Sequence, residues 1–413
     1  MKEKRNYIIL LCISFFSVIH TSCSFYKLAK HTFDQEKILP SIFRIEKPIE
    51  IDSIGYYCIR GLINNQNELD FIIDTRAPCL MKSEDLEQLQ AKYWTNLPMK
   101  SLNAYGQKNK TNFYTFDSLL IPPLSFNNTL FKEITQNNKI YKLMYKSILG
   151  NNVLSLLNWK FLIDDGKMIL FSKKDSILLK KETDGFIKIK NGVGHSRNNP
   201  VKLIVPSGGI PDMFKFDLGY MGEIRVNKKT FATLSLNIPY KKILTYNTND
   251  TTYLFDKINI QWDSIIIPSC QIIHDPDVNM NLIGAAFMHR FNFILAYNDP
   301  TEKQSSWKLS PNNLYIQPSK NFYEIKNIPF ISDYGFNIKT INNIVVISRL
   351  EINGLAESAG LKIRDHVLSI DNGTFDISAP VDNNKFIDYL TDKKEITIKV
   401  KRGENNMDVF IHR

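Results

Sequence analysis

At 413 residues the chain exceeds one typical core and implies two or three domains. Its 43% hydrophobic and 23% charged residues are ordinary for a folded protein and exclude a disordered or fibrous one. The formal net charge of +10 is spread as single lysines among Asn and Asp, which argues for a solvated Lys-rich surface and no nucleic-acid partner.

Residues 1–22 read as a signal peptide. Lys2, Lys4 and Arg5 precede an apolar run from Tyr7 to Ile19 that is too short to span a bilayer comfortably. The following Thr21-Ser22-Cys23 resembles a bacterial lipoprotein cleavage site, although His20 stands where that pattern prefers Leu. The resemblance implies a lipid on Cys23 that ties the protein to the membrane; plain secretion with an unmodified cysteine is the alternative. The expected location is therefore outside the cytoplasm, as an envelope lipoprotein or a periplasmic or secreted protein. Residues 23–50 form a leader broken by Pro40 and Pro48. No second apolar stretch is long enough for a membrane helix. Cys58, Cys79 and Cys270 give neither a disulfide framework nor a zinc pattern, though Cys58 could pair with Cys79.

From residue 51 strand signals are dense. YYCIRGLI and ELDFIID flank Asn64-Asn65-Gln66-Asn67 as a hairpin. SEDLEQLQAKY (83–93) reads as a short helix with Ser83 at its N-cap and Glu84 and Asp85 in the first turn. Strands resume in FYTFDSLLI, and SILGNNVLSLL leads into the hairpin KFLIDDGKMILF. Residues 185–318 repeat this order of events. MFKFDLGYMGEIRV runs into Asp217 and Gly219, KKTFATLSL is helix-like, and LIGAAFMHRFNFILAYND parallels ILGNNVLSLLNWKFLIDDG. Two halves, residues 51–180 and 181–318, each hold a strand that ends in an aspartate.

Such a duplication has a chemical rationale. Two carboxylates brought close cannot both ionise cheaply, so they share a proton, and one acts as base while the other acts as acid on a water. Phe71-Ile72-Ile73-Asp74-Thr75 with Ala77, and Phe216-Asp217 with Gly219, resemble the pepsin- and retropepsin-like aspartic peptidases. Ile148-Leu149-Gly150 and Leu282-Ile283-Gly284 match the apolar-apolar-Gly segments of that family. The resemblance implies a mostly β, bilobed pair of pepsin-like barrels, catalysis by Asp74 and Asp217, no cofactor, no metal, and a peptide or unfolded protein as substrate. It also implies a hairpin flap, for which Tyr105-Gly106 is the candidate. The family motif is Asp-Thr/Ser-Gly; Arg76 replaces the first Gly and Leu218 the second Thr. Arg76 could favour ionised carboxylates, and Leu218 removes a hydroxyl that could bond across the loops.

Residues 319–413 differ. Asn353-Gly354-Leu355-Ala356-Glu357-Ser358-Ala359-Gly360-Leu361, running into Asp365-His366-Val367-Leu368-Ser369-Ile370, resembles a PDZ domain, a small β-domain with short helices. Leu355 and Arg364 depart from that pattern. The resemblance implies capture of peptide C-termini by strand addition, with Gly335, Phe336 and Ile338 at the carboxylate loop and pocket. A PDZ-like module that only packs on the other domains is the alternative. His274 and His289 suggest no metal cluster, and Ser207-Gly208-Gly209 reads as a turn. Two functions fit the residues: an exported aspartic endopeptidase whose PDZ domain recruits or regulates substrates, or a non-catalytic peptide- or protein-binding protein on the same scaffold.

Overall fold

A computed structural model of the chain describes His31 and residues 39–52, 54–102, 108–138, 141, 144–189, 200–204, 211–246, 251–278, 280–297, 311, 313–323, 330–377, 381 and 383–413. The fold is mostly β. Among the described residues no helix is long and apolar enough to cross a membrane. The chain divides into two compact units, Met1–Val201 with Lys215–Met221 and Phe291–Ser319, and Lys202–Phe214 with Gly222–Arg290 and Lys320–Arg413.

In chain order the first half holds β1 (Arg44–Pro48), β2 (Glu50–Ile51), β3 (Tyr57–Ile63), β4 (Asn67–Ile73), β5 (Leu80–Lys82), α1 (Ser83–Gln88), β6 (Lys92–Leu102), β7 (Lys108–Ile121), β8 (Leu124–Ile134), β9 (Ser147–Leu149), α2 (Asn151–Leu154), β10 (Asn158–Leu162), β11 (Lys167–Phe171) and α3 (Ser176–Glu182). Eight of these strands form one sheet in the order β2-β3-β4-β9-β5-β8-β7-β6, with β3 also pairing β7. The β3–β4 hairpin turns at Asn64 and Asn65, both at positive φ, a conformation that Asn tolerates. β4 starts exposed and ends in the buried Phe71, Ile72 and Ile73, so its apolar end enters the core. Its partner there is β9, paired in parallel.

The second half follows with β12 (Ile187–Lys188), β13 (Pro200–Ile204), β14 (Pro211–Phe216), β15 (Ile224–Val226), α4 (Lys228–Leu234), β16 (Lys241–Thr245), β17 (Thr251–Trp262), β18 (Ile265–His274), β19 (Leu282–Ile283), α5 (Ala285–Met288), β20 (Phe291–Ala296) and β21 (Asn313–Pro318). Its sheet order is β13-β14-β19-β15-β18-β17-β16, with β13 also pairing β17. That is the order β3-β4-β9-β5-β8-β7-β6 over again, and the parallel pair β5–β8 recurs as β15–β18. The duplication read from the sequence is thus a duplication of topology. Within the first unit a further six-stranded sheet, β1-β11-β10-β20-β21-β12, joins the final hairpins of both halves through the β10–β20 pair. Phe161 and Phe293 face each other there, stacked with centroids 4.4 Å apart, and Tyr57 packs edge-on against both.

The C-terminal segment holds β22 (Phe336–Ile341), β23 (Ile344–Glu351), α6 (Leu355–Ser358), β24 (His366–Ile370), α7 (Asn383–Thr391), β25 (Glu395–Arg402) and β26 (Asn405–His412). Tyr334, Phe336, Ile338, Ile347, Phe386, Leu390 and Ile398 make its buried core. It is not a free-standing contact unit. β23 pairs antiparallel with β16, and one sheet therefore runs from the second half into this segment.

Two local expectations change. Ser83 is the first residue of α1, not its cap; Lys82 holds that position, and the Ser83 hydroxyl donates to the Ile134 carbonyl. The helix ends at Gln88 because a turn with Gln90 at φ 55° leads into β6. Cys58, Cys79 and Cys270 are buried free thiols.

Candidate active site

Asp74 follows β4 directly. Its N–H donates to the Leu149 carbonyl at 3.0 Å, which continues the β4–β9 ladder by one bond and turns the chain out of the sheet. The carboxylate folds back on its own loop: Oδ1 accepts from the N–H groups of Arg76 at 2.7 Å and Ala77 at 3.0 Å. The loop is braced from behind. Asn151 N–H donates to the Ala77 carbonyl at 2.8 Å, and a Cβ on Gly150 would fall 2.1 Å from the Pro78 carbonyl carbon, so only glycine fits. Cys79 N–H donates to Asn152 Oδ1, and burial pushes the Cys79 thiol up to about 12, which leaves it inert.

Asp217 follows β14 in the corresponding way, with Oδ1 accepting from Gly219 N–H at 3.0 Å. Phe216, the residue before it, packs against Phe293. The two aspartate loops touch. Thr75 Oγ1 donates to the Phe216 carbonyl at 3.3 Å and accepts from Leu218 N–H at 3.1 Å. A Cβ on Gly219 would lie 2.2 Å from Asp74 Oδ2, so the Asp74 carboxylate rests on the bare α-carbon of the Asp217 loop. Of the residues singled out from the sequence, Asp74, Thr75, Ala77, Gly150, Asp217 and Gly219 are all placed in or against these loops. Gly284 lies in the second unit, where its N–H donates to the Glu223 carbonyl at 2.8 Å and it precedes α5.

Both departures from the family motif can be weighed in this geometry. Arg76 is not among the residues at positive φ, so the loop does not demand glycine there, and its amide still serves Asp74. Its side chain makes no ion pair with a described carboxylate. Burial is the dominant influence on Asp74 and holds its carboxyl above the usual carboxylate range, against the loop amides and the weaker Arg76 charge. The expectation that Arg76 would force ionisation is therefore outweighed at Asp74. Leu218 is fully buried, and its N–H uses the Thr75 hydroxyl, so one threonine does the bridging from one side.

Two residues escaped the sequence reading. Lys215, half-buried two residues before Asp217, has its pKa lowered by burial and then by the Arg76 charge, while Asp217 opposes the shift. A lysine inside the apolar MFKFD run was the available signal. Tyr297 follows β20, is buried, and donates its N–H to Asn158 Oδ1 at 2.8 Å. Burial raises its phenol, and the Asp74 charge adds to that. Nothing local in the sequence marks it.

The flap candidates Tyr105 and Gly106 lie outside the described residues, as does Cys23. The strands that lead to the former, β6 and β7, pair out to Leu102 opposite Lys108. In the C-terminal segment Phe336 and Ile338 are buried in the core, and Gly335 has φ 79°. Gly335 N–H donates to the Ser332 carbonyl at 2.8 Å and Phe336 N–H to the Ser332 hydroxyl at 3.4 Å. Among the described residues β22 pairs only with β23, so its other edge carries no strand.

No protein-family model matches the chain, and no curated protein matches it either. Among solved structures it is similar to a retropepsin-like aspartic protease from Rickettsia conorii, at 23% identity over 32% of this chain and 95% of that one, with a TM-score of 0.23. It is also similar to the PDZ domain of EpsC from Vibrio cholerae, at 19% identity over 20% of this chain and 97% of that one, with a TM-score of 0.17. Basic 7S globulin from soybean covers more of the chain, 67%, and matches over 96% of its own length, at 9% identity and a TM-score of 0.35.

Proposed function

We propose that the chain is an exported aspartic endopeptidase in which Asp74 and Asp217 act on one water. The observation that carries this reading is the contact between the two loops, with the Asp74 carboxylate seated on Gly219 and Thr75 bonded to the peptide groups on either side of Asp217. Asp74, whose carboxyl burial raises, is assigned as the acid that polarises the substrate carbonyl; Asp217, more open, takes the proton from the water. Asp74 and Asp217 then exchange these roles as the amine leaves. The C-terminal segment is a PDZ-like module that takes peptide C-termini on the open edge of β22 and recruits or regulates substrates. Cys23 carries the lipid anchor.

The test is cleavage of an unfolded protein at mildly acid pH by the chain lacking residues 1–22. Activity is expected in the unaltered protein and its loss in Asp74→Asn and in Asp217→Asn. Equal cleavage by all three would sink the reading. A second reading, peptide binding without hydrolysis, is favoured by the half-buried Arg76 beside the pair. It requires that peptides bind and that none is cut.

A further inference from the structure

The loop expected to hold a peptide carboxylate is filled by the chain's own Ser332. Gly335 N–H donates to the Ser332 carbonyl at 2.8 Å and Phe336 N–H to the Ser332 hydroxyl at 3.4 Å, while that hydroxyl donates to the Phe336 carbonyl. Two oxygens of one residue therefore occupy two neighbouring amides, as the two oxygens of a carboxylate could. Ser332 is buried, and Asn337 holds it from the other side: its Oδ1 accepts from Ser332 N–H at 3.0 Å, and its Nδ2 donates to the Phe330 carbonyl at 3.1 Å. Arg349 donates to the same carbonyl at 2.7 Å, with its guanidinium 3.9 Å over the Phe330 ring.

The residues leading into Ser332 are seated on the second-half sheet. Ile331 is buried with Ile243, Leu254 and Ile273 of β16, β17 and β18, and Phe330 packs against them. Phe330 N–H donates to Gln271 Oε1 at 3.1 Å. Gln271 N–H donates in turn to Oε2 of Glu223, the residue before β15. Glu223 is fixed by a buried ion pair with Arg290 at 2.6 Å. Printed bonds thus run without a gap from the carboxylate loop to the strand that follows the Asp217 loop in the chain.

We infer that Phe330–Ser332 is an autoinhibitory strap: Ser332 competes with the C-terminal carboxylate of a bound peptide for the Gly335 and Phe336 amides, and a peptide that displaces it loosens the seat of Phe330 and Ile331 on the second-half sheet. The inference rests on the peptide-capture reading of the C-terminal segment and gives it a regulation. A carboxylate outcompetes the serine because hydrogen bonds to a charged acceptor are stronger than those to a neutral one. The apparent affinity of a peptide is lowered by the fraction of chains in which the strap is closed, and by linkage any change that weakens the seat tightens the peptide.

The experiment titrates peptides of one length that end in Val, Leu or Phe, each with a free C-terminus and again amidated, into the chain lacking residues 1–22. Amide exchange is followed at saturation. The free peptides are expected to speed exchange in residues 330–332 by about fivefold or more, where simple burial under a ligand would slow it. The amidated peptides are expected to bind more weakly and to leave that exchange unchanged. Gln271→Ala removes the acceptor of the Phe330 amide and touches no part of the carboxylate loop; it should tighten the free peptides by about fivefold or more. Should that variant fail to fold, the exchange measurement on the unaltered chain decides alone. Exchange that slows or stays constant, amidated peptides that bind as well as free ones, or a folded Gln271→Ala with unchanged or weaker affinity overturns the inference alone. Failure of every free peptide to bind the folded chain overturns the peptide-capture reading and the inference with it.

Discussion

Gly219 is the residue on which the site turns. Gly219→Ala would put a methyl carbon inside the Asp74 carboxylate, and neither loop can retreat without losing the Thr75 bonds. The expected cost is about 1–3 kcal/mol of stability, from overpacking. Loss of at least about 100-fold in kcat/KM should accompany it; thermal melts and peptide hydrolysis check both. Asp74 itself makes a pH prediction. Burial raises its carboxyl in the folded state, so the folded chain holds that proton more tightly than the unfolded one. The stability tied to the protonated form is full below the ordinary carboxylate value and is lost as pH rises through the raised one. Asp74→Asn, neutral at every pH, should therefore be more stable than the unaltered protein near neutrality. Its advantage should fade on acidification, and melting curves across the acid range would reveal a constant difference if burial were not the cause. Asp74, Thr75 and Asp217 were legible in the sequence because they carry a motif. Tyr297 was not, since its place in the structure depends on residues far apart in the chain.

At the scale of elements, β16 and β23 form the joint between the second-half sheet and the C-terminal segment. Three residue pairs, Ile243–Glu351, Leu244–Leu350 and Thr245–Arg349, are in register. The ladder is extended by Ile352 N–H to the Lys242 carbonyl and Tyr246 N–H to the Ser348 carbonyl. Leu244 packs on the C-terminal core, and Lys241 pairs with Glu351 at 3.0 Å. Leu244→Ala is expected to cost about 1–2 kcal/mol, because a half-buried leucine loses part of its transfer energy. The same change should raise amide exchange in both β16 and β23. Faster exchange in β23 alone would show that the joint does not hold the two together. This pairing was invisible in the sequence: an edge strand is written by its own alternation, and its partner is set by tertiary packing. The β3–β4 hairpin, by contrast, was legible because its turn asparagines and its alternation are local. Ser83 misled because helix caps are common serine positions, whereas here its hydroxyl faces a strand carbonyl. The Gly335–Phe336 loop carries its own expectation. Ser332 occupies its amides, and a peptide carboxylate must displace those bonds. Ser332→Ala, which frees the Phe336 amide from the hydroxyl, should strengthen binding of C-terminal peptides, and an affinity titration reads it.

For the whole molecule, the duplicated strand order is the feature that joins sequence to chemistry. The pattern of a strand ending in Asp, a helix, ribbons and an apolar-apolar-Gly segment was readable twice because each copy is a local run of periodic residues. The six-stranded sheet that unites the two final hairpins was not, since the β10–β20 pairing links residues far apart in the chain. Duplication matters to function only if the two aspartates work as one group, sharing a proton and a water. That claim is tested most directly by kcat/KM for peptide hydrolysis in the unaltered chain, Asp74→Asn, Asp217→Asn and the double variant. Residues that act as a unit fail together. Each single change should lower kcat/KM by about 100-fold or more, and the double variant should be no worse than either. Single variants that keep their activity, or losses that multiply in the double variant, would contradict a shared catalytic pair.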